Sequence, residues 1–213
     1  MTNVVDWVEN KLANDHEVTV VGRTNKNFLV IEYKDGYSFN VAVIGVKGII
    51  EDSNVLPLFE TTDKPQLVVN VPSSVLWDGF AIDAIHSEGA SFGSFGDIYR
   101  AARTMDVGSF RDKNMGFFIN AMRQHSNVTC VSYVYNSVFK IDRVSGESLT
   151  VAVIDAYNMS AEDVRNARTR VGEFDIVVKN TSYGSITQQA EAAAASMGAQ
   201  ALTFKELMRR LAR

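Results

Sequence analysis

The sequence has a single cysteine, three histidines and no apolar run of the ~20 residues that cross a bilayer. Cys130 alone cannot form an internal disulfide, and in a predicted strand we expect it to be a small core residue in a reducing compartment. His16, His86 and His125 have no ligand spacing to one another, which argues against a zinc site. An amphipathic segment follows Met1 in place of a signal peptide. We therefore expect a cytoplasmic protein with no membrane partner.

The sequence also lacks a complete P-loop and a complete nucleophile elbow. The glycines at 89, 93 and 96 are not followed by the Lys-Ser/Thr pair of a P-loop. Gly89-Ala90-Ser91-Phe92-Gly93 has the letters of a nucleophile elbow, but it follows a predicted helix and opens a strand, whereas the elbow needs a turn from strand into helix. We interpret Ser91 as a turn residue.

An internal repeat is the main feature that the sequence does contain. Val41-Ala42-Val43-Ile44 returns in the same order as Val151-Ala152-Val153-Ile154. At a shift of 110 positions, ten of the 27 residues from Val18 to Ile44 are identical to their counterparts, where ordinary composition gives roughly two.

The match continues at a shift of 109, which pairs Val68-Val69 with Val177-Val178 and Gly89 with Gly198. We predict two tandem homologous units, residues 1–105 and 106–213, each of about 100 residues and large enough for a modest core.

Charge is divided unequally between the two halves. Residues 1–106 contain 8 Lys and Arg against 15 Asp and Glu, a net charge of −7, and residues 107–213 contain 13 against 10, a net charge of +3. Opposite charges attract, so we expect a protein partner or self-association, within one chain or head to tail between chains. Drift after duplication is the alternative explanation.

Hydrophobic periodicity predicts the order α-β-β-β-α-β-α-β-α in each unit. The first helices are predicted at 6–13 and 115–123. Three strands follow in each unit, at 17–22, 28–33 and 38–46 and at 127–135, 137–143 and 148–156, with hairpin turns at Asp35-Gly36 and Ser145-Gly146. The Val-Ala-Val-Ile strands are apolar throughout, which is typical of central strands covered on both faces. The predicted fold class is α/β, with a mixed sheet flanked by helices in each unit.

The helices and strands in the rest of each unit are predicted from hydrophobic periodicity, helix-capping residues and the helix-breaking residues Gly and Pro. Helices are expected at 51–62, where Pro57 interrupts, at 74–88, from Ser160 onward and at 185–197, with strands at 66–71 and 175–179. Capping boxes are predicted at Ser160–Asp163, Ser185–Gln188, Ser94–Asp97 and Thr203–Glu206. Gly89 and Gly198 are expected to end helices. Residues 104–113 form the predicted linker, and the core is expected to include Phe92, Phe95, Phe117 and Phe118.

Two stretches of the second half, residues 174–182 and 198–208, are similar to a known family. With an Ala-rich helix between them, they resemble the C-terminal part of the Mrr-like branch of the restriction-endonuclease-like, or PD-(D/E)XK, superfamily. The leading α-β-β-β-α-β order resembles the core of that superfamily. The resemblance implies a restriction-endonuclease-like fold for both units.

The resemblance also implies a place for a metal site. In that superfamily an acidic residue on the second strand, and an acidic or Gln residue followed two places later by Lys on the third, hold Mg²⁺ and activate water. The first acid corresponds to Glu32 in one copy and Asp142 in the other. The third-strand motif corresponds to Val43-Ile44-Gly45 and Val153-Ile154-Asp155, and neither copy has the lysine.

Two alternatives would keep a catalytic site. Glu32-Tyr33-Lys34 has the acidic-x-Lys spacing on the second strand, with Asp15 or Glu17 as an upstream acid. Asp142 and Asp155, on adjacent strands of one hairpin, would share Mg²⁺; otherwise they are a solvated pair at strand ends.

Basic residues are concentrated in the second half. A solvated helix face is one interpretation, and a contact with a nucleic-acid backbone or an acidic partner is the other. The residues concerned are Arg165, Arg168, Arg170, Arg209, Arg210 and Arg213.

The sequence therefore predicts a non-catalytic binding or assembly protein, built from two degenerate endonuclease-like units and without a cofactor. It would act through protein–protein or nucleic-acid contacts. The enzymatic alternative is a Mg²⁺-dependent nuclease or phosphodiesterase that uses Asp142, Asp155 and Glu32. A second alternative is a nucleotide-sensing module with a Rossmann-like crevice.

Overall fold

A computed structural model describes residues 3–212, apart from the side chain of Asp35. The chain divides into two units, and the division falls between Asp112 and Lys113.

Within residues 3–112, the first unit consists of nine main elements and three short 3-10 turns. In chain order the main elements are α1 (Val4–Leu12), β1 (Val18–Arg23), β2 (Leu29–Tyr33), β3 (Ser38–Ile44), α2 (Asp52–Val55), β4 (Leu67–Asn70), α3 (Gly79–Ser87), β5 (Ser91–Ser94) and α4 (Asp97–Ala102). The 3-10 turns lie at Lys34–Gly36, Leu56–Leu58 and Val107–Ser109.

The described part of the second unit, residues 113–212, repeats the same order of helices and strands. Its elements are α5 (Lys113–Arg123), β6 (Val128–Tyr135), β7 (Val138–Arg143), β8 (Leu149–Ile154), α6 (Ala161–Val171), β9 (Ile176–Lys179), α7 (Gln188–Ser196), β10 (Gln200–Thr203) and α8 (Phe204–Leu211). The predicted order α-β-β-β-α-β-α-β-α is confirmed in both units.

The two sheets have the same topology. In the first, the strands lie in the order β1-β2-β3-β4-β5, the first two pairs antiparallel and the last two parallel. In the second, β6 to β10 lie in the same sequential order with the same directions. The prediction of an α/β fold with mixed sheets flanked by helices is confirmed.

The central strands are covered on both faces, as their continuously apolar sequences predict. In the second unit Val151 and Val153 pack against α5 and α8, whereas Ala152 packs on the other face against α6 and α7. In the first unit Val41 and Val43 pack in the same way against α1 and α4.

Details of chain geometry recur between the units at the shift of 109. The N-cap residues Glu51 and Ser160 both form capping boxes, and Asp78 and Thr187 both cap the next helix with a side-chain oxygen. Isolated parallel bridges join Ile50 to Trp77 and Met159 to Ile186. Positions separated by 109 residues in this region are therefore structurally equivalent.

Two helices begin later than predicted. α3 begins at Gly79 and α7 at Gln188, because the residues before them are extended and take part in the bridges from Trp77 and Ile186. The predicted box at Ser185–Gln188 is wrong: the cap is Thr187, whose hydroxyl accepts a hydrogen bond from the Ala190 amide at 3.2 Å.

The helix predicted at 51–62 is only partly formed. It consists of the single turn Asp52–Val55 followed by the 3-10 turn Leu56–Leu58, which contains Pro57. Proline cannot donate the backbone hydrogen bond that would continue an α-helix, so the second unit has the longer helix at this place.

The other predicted caps are confirmed with one exception. Capping boxes form at Ser160–Asp163 and Thr203–Glu206. At Ser94–Asp97 only half of the box forms, because the carboxylate accepts from the Ser94 amide at 2.7 Å but α4 begins at Asp97 itself. Gly89 and Gly198 follow helices with φ values of 70° and 74°, the left-handed conformation that favours glycine.

The first unit extends further than the predicted boundary at residue 105. Val107 and Phe110, inside the predicted linker, are buried in the core of the first unit. The hydroxyl of Ser91 donates a hydrogen bond to the Val107 carbonyl at 2.7 Å. Ser91 is therefore a buried strand residue that fastens this segment to β5, and its interpretation as a turn residue is wrong.

Two residues predicted to be in the core are exposed. Cys130 lies on β6, the edge strand of its sheet, and its side chain is exposed. Phe117 is 58% exposed, although its ring contacts Phe204 at a centroid distance of 5.2 Å. Phe118 is buried as predicted, while Phe92 and Phe95 are half-buried.

A polar network ties the loop after α1 to α4 in the first unit. Asp15 accepts hydrogen bonds from the amides of Glu17 at 2.8 Å and Val18 at 3.1 Å, and the Tyr99 hydroxyl donates to it at 2.9 Å. The two amide donors hold the pKa of Asp15 below its ordinary value. Burial, together with the Asp15 carboxylate, raises the pKa of Tyr99 to about 12.

Candidate binding site in the second unit

The two carboxylates predicted to share Mg²⁺ lie at opposite ends of the β7–β8 hairpin. Ile141 pairs with Leu149 next to the turn, so Asp142 lies at the turn end, where the Ser148 hydroxyl donates to it at 2.5 Å. Asp155 follows the last residue of β8, seven positions beyond Ser148. At about 3.3 Å per residue the two carboxylates are roughly 20 Å apart. The predicted pair is not formed.

Each carboxylate has other partners. Asp142 also has Lys140 at 3.6 Å, and Asp155 accepts a hydrogen bond from the Asn114 side chain at 3.3 Å. On the adjoining strand of the hairpin, residues 136–138 lie beside the end of β8, since the Val153 amide donates to the Ser137 carbonyl at 2.8 Å. Those residues are Asn, Ser and Val.

The third strands bury the positions of the missing carboxylate or Gln, and in the first unit the lysine position is also closely packed. Val43 and Val153, where the resemblance requires a carboxylate or Gln, are buried in the two cores. A Cβ atom on Gly45, where it requires Lys, would lie 2.8 Å from a methyl group of Val4. A side chain at position 45 would therefore require Val4, the first residue of α1, to shift.

A buried ammonium group lies on the neighbouring strand, and all its donors are used. Lys179 ends β9 beside Ile154 and is 2% exposed. Its Nζ donates to the carbonyl and the hydroxyl of Thr181, both at 2.7 Å, and to the carbonyl of Tyr183. An ammonium has three donors. Lys179 therefore fastens the loop after β9 and has no donor left to orient a water molecule.

Asn70 is the equivalent residue in the first unit, and it holds the neighbouring loops through its side-chain amide. Asn70 is 1% exposed, accepts from the Val46 amide at 2.9 Å, and donates to the carbonyls of Val46 at 3.0 Å and Pro72 at 2.8 Å. Sequence reasoning missed both residues. The available signal was one polar residue closing an apolar strand in each copy, at the shift of 109.

Glu32, the first-copy acid, is exposed near the turn end of β2, opposite Ser38. Its proposed upstream acids are engaged elsewhere: Asp15 accepts from backbone amides, and Glu17 accepts from the Nε and one Nη of Arg103 at 2.6 and 2.8 Å. The Arg103 guanidinium holds the pKa of Glu17 below its ordinary value. Among the described side chains, no group of three or more His, Cys, Asp or Glu is placed to hold a metal ion.

Asp155 lies in a cavity of about 370 Å³ between α6 and the start of β7. The floor includes Val138 and Ala152, and the polar wall includes Asp163 and Arg170. Asp163 accepts from the amide and hydroxyl of Ser160, both at 2.8 Å, so it serves the helix cap. The cavity has the mixed apolar and polar lining of a small-ligand site.

The predicted basic residues are spread over several surfaces. α6 and α8 pack on opposite faces of the sheet. On α6, Arg165 is exposed, Arg168 forms an ion pair with Glu173 at 2.6 Å, and Arg170 lines the cavity beside Asp155.

The arginines of α8 lie elsewhere. Arg209 is exposed, and Arg210 lines a separate cavity of about 350 Å³ with Arg143 and Asp175. Among the described residues, neither Arg165 nor Arg210 has a side-chain hydrogen bond or ion pair. Arg213 lies outside the described residues.

Comparison with known proteins finds no match to any protein-family model, curated protein or solved structure. None of the helices formed by residues 3–212 has the length and apolar content to cross a bilayer.

Proposed function

We propose that this chain is a non-catalytic binding or assembly protein of the cytoplasm, built from two degenerate endonuclease-like units. The endonuclease-like ancestry is part of the proposal; it is supported by the α-β-β-β-α-β order and the mixed sheet of each unit. The observation that carries the loss of catalysis is the separation of Asp142 from Asp155 by the length of a hairpin. Without converging carboxylates, Mg²⁺ lacks the clustered oxygen ligands it prefers.

The binding itself is attributed to charge. The first half is acidic and the second basic, and Arg165 and Arg210 have no charged partner in the described structure. Exposed, unneutralised charges of opposite sign attract other molecules over about one Debye length, which is ~8 Å at physiological ionic strength. Association through these surfaces is therefore expected to weaken as salt is added.

A cleavage assay tests the absence of catalysis. Purified wild-type protein, Asp155→Ala and Asp142→Ala are incubated with DNA and with RNA in Mg²⁺. We expect no cleavage above the blank from any of the three. Mg²⁺-dependent cleavage by the wild type that disappears in Asp155→Ala would overturn the proposal.

Sedimentation velocity of the full chain at increasing salt tests the binding function. We expect complexes at low salt that dissociate as ionic strength rises. A chain that stays monomeric at every salt concentration, and retains neither protein nor nucleic acid in a pull-down, would contradict it.

A second candidate function, nucleotide sensing, is favoured by the cavity beside Asp155. Its volume is in the range of small-molecule sites, and it opens at the carboxyl end of β8, where ligands bind in many α/β folds. A ligand that binds only the folded state raises the melting temperature. A nucleotide panel that leaves the melting temperature unchanged would remove this candidate.

A further inference from the structure

Three large apolar side chains are exposed on two adjoining segments of the first unit, which the bridge between Ile50 and Trp77 and the packing of α2 on α3 bring together. They are Ile49, Leu56 and Phe80, with exposed fractions of 47%, 49% and 76%. Ile49 and Phe80 lie next to the bridge between Ile50 and Trp77, and the segment containing Leu56 contacts α3. We call these three residues the apolar patch.

The second unit provides an internal control for this surface. Position 49 is equivalent to Asn158, position 56 to Arg165 and position 80 to Gln189, by the caps and bridges that recur at the shift of 109. All three counterparts are exposed polar residues. The scaffold therefore does not need apolar side chains at these positions. Apolar residues grouped on a surface without a structural need are typical of an interaction site.

The stretch of sequence that carries the apolar patch is strongly acidic. Residues 49–88 contain seven Asp and Glu and one basic residue, Lys64, which is itself paired with Glu88 at 2.5 Å. The equivalent residues 158–197 contain five acidic and four basic residues. A molecule that covers the apolar patch must therefore bring positive charge together with apolar contact.

The second unit of the chain has both properties. Its half of the sequence carries a net charge of +3, and Arg165, on the helix α6 that follows β8, has no charged partner among the described residues. Tyr157 and Tyr183 are 69% and 76% exposed on the loops that follow β8 and β9. These rings and guanidinium groups are the residue types that dominate protein–protein contacts.

We propose that the apolar patch of one chain docks the basic second unit of a second copy of the same chain. The inference rests on the proposed binding function and assigns it a surface. Apolar contact supplies the binding energy of the interface, and the acidic residues of the same stretch supply orientation and salt dependence.

The test replaces the apolar patch with the residues that the second unit uses at the same positions. Ile49→Asn, Leu56→Arg and Phe80→Gln are combined in the full-length protein, and association is measured by sedimentation velocity over a range of concentrations. Phe80→Gln removes an aromatic contact, and Leu56→Arg adds a positive charge facing a basic partner. Together these changes are expected to raise the dissociation constant at least about tenfold. Val21→Thr, another exposed apolar residue of the first unit, is the control and should change it less than about twofold.

Each outcome decides the inference. If the wild type is monomeric at all concentrations, or if the triple variant associates as the wild type does, the inference is overturned. In the second case salt-dependent association still supports the proposed function, so the two failures are distinguishable. The melting temperature and circular dichroism of the triple variant establish whether it is folded. If it is not, the single variant Phe80→Gln provides the measurement.

Discussion

Replacing Lys179 by methionine removes a buried ammonium while keeping a side chain of similar length. Three hydrogen bonds are lost, to two oxygens of Thr181 and one of Tyr183. Because no carboxylate contacts the ammonium in the described structure, these neutral oxygens are the groups that stabilise its positive charge inside the unit. The stability of the variant therefore shows whether hydrogen bonds to three neutral oxygens outweigh the cost of burying the charge.

The magnitude follows from two opposing contributions. Hydrogen bonds from a charged donor contribute about 1.5–3 kcal/mol each, so about 5–9 kcal/mol is lost. Burial of the ammonium costs several kcal/mol, and that cost is recovered when methionine takes its place. Since the loop at 182–185 is exposed, water also replaces part of the bonding to the carbonyls. We expect the free energy of unfolding to fall by about 2 kcal/mol.

Urea unfolding followed by far-UV circular dichroism measures this change. Both tryptophans, Trp7 and Trp77, belong to the first unit, so tryptophan fluorescence does not follow the unit that carries the mutation. With an m-value of about 1–2 kcal/mol per molar urea, the expected shift of the midpoint is about 1–2 M.

Lys140→Met is the matched control for this experiment. Lys140 is 53% exposed and its contact with Asp142 is 3.6 Å long, so its loss should change stability by less than about 0.5 kcal/mol. A Lys179→Met variant as stable as the wild type, or more stable, would refute the reasoning. It would mean that desolvation of the ammonium outweighs its three hydrogen bonds.

Two further predictions concern backbone geometry and acid stability. Asp15→Asn should lower stability at pH 7 by about 1 kcal/mol, because a charged acceptor of two amides and the Tyr99 hydroxyl is lost. A lowered pKa contributes stability above the unfolded-state value and loses it as pH falls, so the difference from wild type should shrink below about pH 4 in acid titrations. A constant difference down to pH 2 would contradict this. Gly184→Ala should cost more than about 3 kcal/mol in thermal melts, because its Cβ would lie 1.9 Å from the Tyr157 carbonyl oxygen. Gly198→Ala, with a similar φ of 74° but open space around it, should cost only about 1 kcal/mol, and equal losses would exclude the clash as the cause.

Much of the secondary structure could be predicted because the signals are local. The box at Ser160–Asp163 and the glycine at 198 each depend on residues within one helical turn. The late start of α7 could not be predicted in this way, because the bridge between Met159 and Ile186 joins residues 27 positions apart. Side-chain exposure at an edge strand, as for Cys130, likewise depends on which neighbours the fold supplies.

The candidate site was predicted less well than the fold, and part of the failure was avoidable. The predicted turn at Ser145-Gly146 already separates Asp142 from Asp155, since residues at equal distances from a hairpin turn face each other. Asp142 is three residues before the turn and Asp155 nine residues after it. The register of the hairpin therefore excludes a shared metal site on the grounds of sequence alone.

The sequence by itself determined that the chain has two units of the same design, because the repeat and its hydrophobic periods are written along the chain. Only the tertiary structure decided that Lys179 closes a loop, and that Ile49, Leu56 and Phe80 are exposed on adjoining segments of the first unit. Periodicity and capping act between residues a few positions apart, so a linear pattern records them. The contacts of a buried ammonium and the grouping of exposed side chains are set by how distant segments pack, which the linear pattern does not specify.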